Sequence, residues 1–243
     1  MAPGCWFFGA LWLPLMLTVA AAEEQVEACS GSAKECGNLT ISHPFWLSDR
    51  ETGKSCGLPD FEVFCSDSST PILLSSVAVS YGFEIIHIFY DEERLHVVDV
   101  GKLKLLHAPN SCSLPVWNTT VKLGLQFRIA PVSLNLVLYN CTEEAGAAAL
   151  ARRDAELVPT TRRCGNRSMV YAGAGGRYNG TSGYGGYEGC NAAVMPVRGS
   201  PAGKVNASDY GQLINDGFIL TWELPPPRKF TSQIMSLIHF LPS

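Results

Sequence analysis

Between Val77 and Leu138 apolar residues come in short runs: VAVSY, FEIIHIFY, RLHVVDV, KLKLL, LGLQFRI and LNLVLY. Each run is rich in β-branched, aromatic or leucine residues and is cut off by turn-forming or charged residues, the pattern of short strands in an antiparallel sheet, sandwich or barrel. FEIIHIFY and RLHVVDV predict a hairpin with Asp91, Glu92 and Glu93 at its tip. The pattern changes at EEAGAAALARRDAEL, residues 143 to 157, where Ala and Leu recur at near-helical spacing and acidic residues precede basic ones. That predicts a helical connection ending near Pro159. Further on, NASDYGQLINDGFILTW predicts an N-cap at Ser208, a short helix, a stop at Gly217 and a strand FILTW.

Between these lies YAGAGGRYNGTSGYGGYEGC, residues 171 to 190. It contains neither Gly-x-Gly-x-x-Gly nor Gly-Lys-Ser/Thr, so it is no phosphate-binding loop. It reads as a flexible glycosylated loop closed by Cys164 and Cys190, with Tyr171, Tyr178, Tyr184 and Tyr187 as candidates for stacking on sugar rings. The expected fold is mainly β: two small disulfide-stabilised β-rich modules joined by a short helical segment.

The first 22 residues carry no Asp, Glu, Lys or Arg, and an apolar stretch leads to Ala20, Ala21 and Ala22. This reads as a secretory signal peptide. It makes the cysteines informative: of nine, Cys5 lies in the signal, leaving Cys29, Cys36, Cys56, Cys65, Cys112, Cys141, Cys164 and Cys190. An even set in an oxidising compartment predicts disulfides, with Cys56–Cys65 and Cys164–Cys190 the nearest pairs in sequence. Asn-x-Ser/Thr acceptors at Asn38, Asn118, Asn140, Asn166, Asn179 and Asn206 predict a glycosylated surface, Asn140 being the weakest because Cys141 follows it. After Ala22 no apolar run reaches the length that spans a bilayer.

Charge divides unevenly. Residues 23–150 hold 8 Lys+Arg against 16 Asp+Glu, and residues 151–243 hold 10 against 6. Nucleic acid is an improbable partner for a secreted acidic chain. No Cys-x-x-Cys or His-x-x-x-His occurs, so no metal site is expected, and no cofactor motif is present. The Gly-x-Ser-x-Gly, His-Glu-x-x-His and His-Arg-Asp signatures are missing, and His87 and His96 fall inside predicted strands, where a structural role is expected. The chain reads as a binding module, not an enzyme; a hydrolase using two of its carboxylates is the third alternative.

One stretch, CGNLTISHPFW at residues 36 to 46, combines several signals. Cys36 serves as a staple, Gly37 as a turn, Asn38 as an outward glycan acceptor, and Ile41 points inward with Phe45, while Pro44 holds His43 extended. Together with SCGLPDFEVFC, this stretch resembles the galacturonan-binding domain of plant wall-associated receptor kinases. The matching residues are Cys36-Gly37, Ile41 with Pro44-Phe45, and Cys56-Gly57, Pro59, Phe61 and Cys65. His43 stands where that motif has Tyr. LNLVLYNC, CNAAVMPV and DGFILTW resemble the wall-associated C-terminal domain of leaf-rust-type receptor-like kinases, which continues into further cysteines, a transmembrane helix and a kinase. This sequence instead runs into ELPPPRKFTSQIMSLIHFLPS, so it reads as a truncated ectodomain to which kinase activity is not transferred.

The resemblance divides the chain into a signal peptide at 1–22, a galacturonan-binding-like module at 29–106, a β-rich continuation at 107–142, a wall-associated C-terminal-like module at 143–223 and a divergent tail at 224–243. It implies binding of cell-wall pectin or oligogalacturonide outside the cell or in the wall, or at the plasma membrane if a longer product carries the transmembrane helix. Lys or Arg would pair with uronate carboxylates while an aromatic face packs on the sugar. Trp46, Arg50 and Lys54 are the candidate ligand-binding residues, with Arg162 and Arg163 expected to set mainly the salt dependence. The alternative within the same family is recognition of a peptide or a membrane receptor in defence signalling.

Overall fold

The computed structural model describes residues 33–48, 55–74, 82–107, 119–151, 157–163, 168–179, 187–199 and 204–226. It is mainly β, as expected. The stretch expected to be a signal peptide, the run at 77–81, Cys29, Cys112, Cys164, Asn118, Asn166, Arg50 and Lys54 lie outside the described residues.

Thirteen strands are present among them. A two-stranded ribbon pairs β1 (Lys34–Cys36) with β2 (Leu39–Ile41). The seven-stranded sheet contains β3 (Trp46–Leu47), β4 (Glu62–Ser66), β5 (Thr70–Leu73), β6 (Phe83–Phe89), β7 (Arg94–Asp99), β8 (Phe127–Ile129) and β13 (Phe218–Trp222), in the order β3-β4-β5-β6-β7-β13-β8. The four-stranded sheet has the order β10-β11-β9-β12, built from β9 (Ser133–Thr142), β10 (Val158–Arg163), β11 (Ser168–Arg177) and β12 (Cys190–Arg198). The pairings are antiparallel except β3 with β4, which is parallel.

Seven strands laid flat would separate the two edge strands by about 29 Å. Yet Phe45, the residue before β3, and Phe127 of β8 have ring centroids only 6.4 Å apart. The sheet is therefore rolled around a shared core. At its centre Phe45 sits edge-on to Phe61 at 5.2 Å and to Trp222 at 5.0 Å, and Asp60 Oδ2 accepts the Gln126 amide across the seam. Hydrophobic burial drives the closure, and the edge-to-face geometry selects one packing.

The expected hairpin is β6 and β7, joined by a 3-10 turn at Tyr90–Glu92 with Glu93 in the left-handed region. Its neighbour is a surprise. β13 comes from the far end of the chain and pairs with β7 and β8, so residues 218–222 complete the first sheet instead of staying with the four-stranded one. Gly217 makes the turn into β13 possible: its φ is +67°, and a Cβ there would run into the Val97 carbonyl. An L side chain at that position would be strained and obstructed.

In the four-stranded sheet β9 is buried on both faces, in keeping with the apolar run LNLVLY, which only the buried Asn135 interrupts. Leu134, Leu136 and Leu138 face Leu106, Leu213 and Ile214 from helices α1 (Val100–His107) and α3 (Tyr210–Asp216). Val137, Tyr139 and Cys141 face Ala145 of α2 (Glu143–Ala151) together with Leu157 and Tyr187.

Four expectations change. KLKLL is not a strand but lies within α1, because the Asp99 carboxylate accepts the Lys102 amide and starts a helix where β7 ends. LGLQFRI forms strand only at Phe127–Ile129. The Gly/Tyr stretch begins as ordered strand, Tyr171–Arg177 being the greater part of β11. At the last helix the capping side chain is Asn206, whose oxygen accepts the Ser208 amide of a 3-10 turn (Ala207–Asp209) leading into α3; Ser208 does not cap.

The nearest-neighbour disulfide guesses also change. Cys65 bonds Cys36, with Cα atoms 5.8 Å apart, and Cys190 bonds Cys141 directly opposite it across the β9–β12 ladder. The β9–β12 register brings Cys141 and Cys190 within reach, whereas Cys36 and Cys65 join strands of two different sheets. Cys56 is disulfide-bonded as well, to a partner outside the described residues.

Candidate binding site

Phe45 and Trp46 occupy successive positions and both meet the same core, Phe45 within it and Trp46 packed against it. Phe45 is buried in the aromatic core, whereas Trp46 on the edge strand is half-buried. The indole is fixed by two contacts. Its Nε1 donates to the Leu58 carbonyl at 3.0 Å, and a Cβ on Gly57 would collide with the ring. The preceding turn is held by Tyr90, whose hydroxyl donates to the Thr40 carbonyl and accepts the Ser42 amide, each at 2.9 Å; the His43–Pro44 peptide is cis.

The span that carries Arg50 and Lys54 leaves from Ser48, two residues after Trp46, and returns to Ser55, two residues before Gly57. Ser48 is pinned by its amide donating to the Val63 carbonyl at 2.8 Å. Facing Trp46 across the parallel β3–β4 pair is Glu62, whose carboxyl is pushed above the ordinary range by burial. Elsewhere on this module Arg94 is engaged by Glu92 at 2.9 Å, while Lys34 and Lys104 are exposed.

Sequence reasoning missed a second polar centre. Lys102 and Lys122 are both almost fully buried, on either side of the equally buried Asp99. Lys122 makes an ion pair with Asp99 Oδ1 and lies 5.7 Å from the centroid of the Phe83 ring. Lys102 donates to the Thr119 hydroxyl at 2.7 Å and to the Val194 carbonyl at 3.2 Å, tying α1 to β12. Burial first, then the neighbouring Lys122, holds the Lys102 ammonium down at about 8 against the support of Asp99. Tyr178, hydrogen-bonded to Thr119, is pushed up to about 12, mainly by burial and further by Asp99. The adjoining cavity measures about 20 Å³, room for a single water and too small for a sugar. The cluster is structural: it joins the two sheets. Two lysines inside otherwise apolar or alternating stretches gave no sequence signal that they would be buried.

Histidines behave as structural groups. His96 Nε2 lies 2.5 Å from the Asp216 carbonyl, and His87 packs at a tilt against Phe89, with ring centroids 4.4 Å apart. Among the described residues no group of three or more His, Cys, Asp or Glu is placed to hold a metal, and no helix is long and apolar enough to cross a membrane. Of the glycan acceptors, Asn38, Asn179 and Asn206 are exposed; Asn140 is half-buried, with Oδ1 sealed inside and without a hydrogen bond.

Residues 29–99 match the family model described as wall-associated receptor kinase galacturonan-binding. Among curated proteins, the chain is 31% identical over 107 residues to leaf rust 10 disease-resistance locus receptor-like protein kinase-like 1.4 of Arabidopsis thaliana, covering 44% of this chain and 14% of that protein. It is 26% identical over 125 residues to the kinase-like 2.4 protein of the same plant, covering 51% of this chain and 18% of the relative. The chain thus spans less than a fifth of the length of these relatives. No solved structure matches it. Residues 29–99 are thus similar to the galacturonan-binding family of wall-associated receptor kinases, and about half of the chain is similar to two leaf-rust-type receptor-like kinases.

Proposed function

We propose that this chain is an extracellular, disulfide-bonded and N-glycosylated receptor-type module that binds pectin without enzymatic activity. Its N-terminal module would take de-esterified galacturonan beside Trp46. The observation that carries this reading is the family match over residues 29–99, a segment that includes Trp46, Arg50 and Lys54. A partly exposed indole on an edge strand, locked in place by the Leu58 carbonyl and Gly57, supports it, and Arg50 and Lys54 follow Trp46 four and eight residues further along the chain. The ring would pack on a sugar face and the cations would pair with uronate carboxylates. Local pairing would prevail over the module's negative net charge, because salt screens charges beyond about 8 Å at physiological ionic strength.

The test is binding of the secreted full chain to unesterified oligogalacturonide by calorimetry. Arg50→Ala with Lys54→Ala should weaken binding at least tenfold, while Arg162→Ala with Arg163→Ala should change mainly the salt dependence. Loss of binding with the second pair and not the first would move the site to the basic half. Polymer-independent capture of a peptide or receptor ectodomain would favour the interaction-module reading instead.

A further inference from the structure

A second surface has the size and chemistry of a ligand site. A groove of about 330 Å³ lies beside α2, lined by Thr142, Glu144, Ala148, Tyr187, Glu188 and Gly189 among others. That volume falls at the lower end of the roughly 300–1,000 Å³ typical of small-molecule sites. Its two walls come from different strands: Thr142 and Glu144 continue from the end of β9, and Tyr187 to Gly189 form the turn entering β12. The Cys141–Cys190 disulfide clamps these walls together, reinforced by the Thr142 amide donating to the Gly189 carbonyl at 3.3 Å. Tyr187 is held edge-on against Tyr139, with ring centroids 5.2 Å apart. A site fixed in this way need not be ordered by its ligand.

The lining is selective. Tyr187 supplies an aromatic wall, and Ala148 with its alanine neighbours supplies a shallow apolar floor. Glu144 and Glu188 are exposed, and neither makes an ion pair among the described residues, so their carboxylates are available as acceptors. The Thr142 hydroxyl already accepts the Ala145 amide and keeps its own proton to donate. Two carboxylate acceptors lining one groove with an aromatic wall suit the vicinal hydroxyls and apolar face of a pyranose. Two carboxylates would repel a third, so a free uronate is disfavoured.

We propose that this groove binds an uncharged pyranose unit, taking methyl-esterified or neutral sugar and rejecting free galacturonate. The module would then read two states of one polymer: charged units beside Trp46 and uncharged units beside Tyr187. The choice of ligand rests on the polysaccharide reading above, but the groove residues are independent of it.

The experiment titrates the secreted, disulfide-intact full chain with fully methyl-esterified trigalacturonide and, separately, with the unesterified trimer. Wild type should bind the esterified probe. Ala148→Phe, which fills the groove from an exposed helix position, should weaken that binding at least tenfold and leave the unesterified probe untouched. Glu144→Gln with Glu188→Gln, which preserves shape, should weaken the esterified probe severalfold and admit the unesterified one more readily. Near-ultraviolet circular dichroism verifies that both variants are folded. No binding of the esterified probe by wild type overturns the groove assignment, as does binding that both variants leave unchanged. Binding of a tri-lysine peptide that Ala148→Phe abolishes, without any sugar binding, overturns it in favour of a cationic ligand. Failure of the unesterified probe alone would sink the Trp46 site and leave the groove standing.

Discussion

The two sheets solve the same packing problem with different materials. The seven-stranded sheet rolls its edges together around rings, so Phe45 touches residues from both ends of the strand order. The four-stranded sheet stays open and is covered on both faces, with β9 sandwiched between helices and loops. Aromatic rings stand among the aliphatic side chains of the first core, whereas the buried residues on the leucine face of the second are Leu, Val, Ala and Met alone. The first should thus be vulnerable at single positions and the second more tolerant, although β13 and the Asp99 cluster join them into one structure.

Phe45→Ala puts the largest strain on this comparison. It removes a buried ring that contacts Phe61, Phe127, Tyr90 and Trp222, and should destabilise the chain by about 4–5 kcal/mol in urea denaturation, the upper range for such truncations. Leu136→Ala in β9 should cost about 3 kcal/mol, nearer the lower range. Equal losses would erase the contrast between the cores. Because β13 belongs to the first sheet, both variants should still unfold in one transition seen identically by fluorescence and far-ultraviolet dichroism; two separated transitions would show that the sheets are independent.

Disulfide removal sharpens the same contrast from the side of the unfolded chain. Cys141–Cys190 spans 49 residues and Cys36–Cys65 spans 29. Loop entropy gives roughly 4 kcal/mol for the first and slightly less for the second, so the paired Cys→Ser variants should have nearly equal losses. A far larger loss for Cys141→Ser with Cys190→Ser would mean that the clamp also maintains native packing in the open sheet.

The junction comes next. Asp99→Ala leaves two buried lysines without their counter-charge and should cost about 3 kcal/mol or more, since breaking a buried pair on one side strands the other charge. Replacing Asp99 and Lys122 together by Leu and Met should recover only part of that loss, because Lys102 stays buried without its counter-charge and α1 loses its capping carboxylate. If Asp99→Ala alone proves harmless, the cluster is not the joint between the sheets.

How far the sequence foretold this arrangement depends on how local the cause was. The β6–β7 hairpin, the β9 strand itself and the Gly217 stop were legible because periodicity and turn chemistry act over a few residues. Lys102 to Leu106 alternates like a strand but became helix through one capping carboxylate at Asp99. The return of β13 to the first sheet, the disulfide partners and the burial of Lys102 and Lys122 all arise from contacts between residues far apart in the chain. At the candidate site, Trp46 could be singled out from its neighbours in sequence, but its anchoring by Leu58 and Gly57 could not. Tyr187 was one of four tyrosines named alike; the fold buries Tyr171, engages Tyr178 in the charged cluster and leaves Tyr187 lining a groove.

The smallest effect tests the joint by pH. Lys102 titrates at about 8 in the folded chain, below the roughly 10.4 of an exposed lysine. Below pH 8 both states carry the proton, and the cost of the buried charge is constant. Between about 8 and 10.4 the unfolded chain binds more protons than the folded one, so stability rises with pH, by roughly 2 kcal/mol from pH 7 to pH 10. Tyr178 acts with the opposite sign at higher pH. Its folded value of about 12 exceeds the ordinary value of 10, so above pH 10 the folded chain holds the extra proton and stability falls. The contribution of this pair should therefore peak near pH 10. Lys102→Met removes the rising limb while keeping the volume, and Tyr178→Phe removes the falling one. Denaturation midpoints for wild type and both variants across pH 7 to 11 would check this; a rising limb that survives in Lys102→Met would mean that another group links the two sheets to pH.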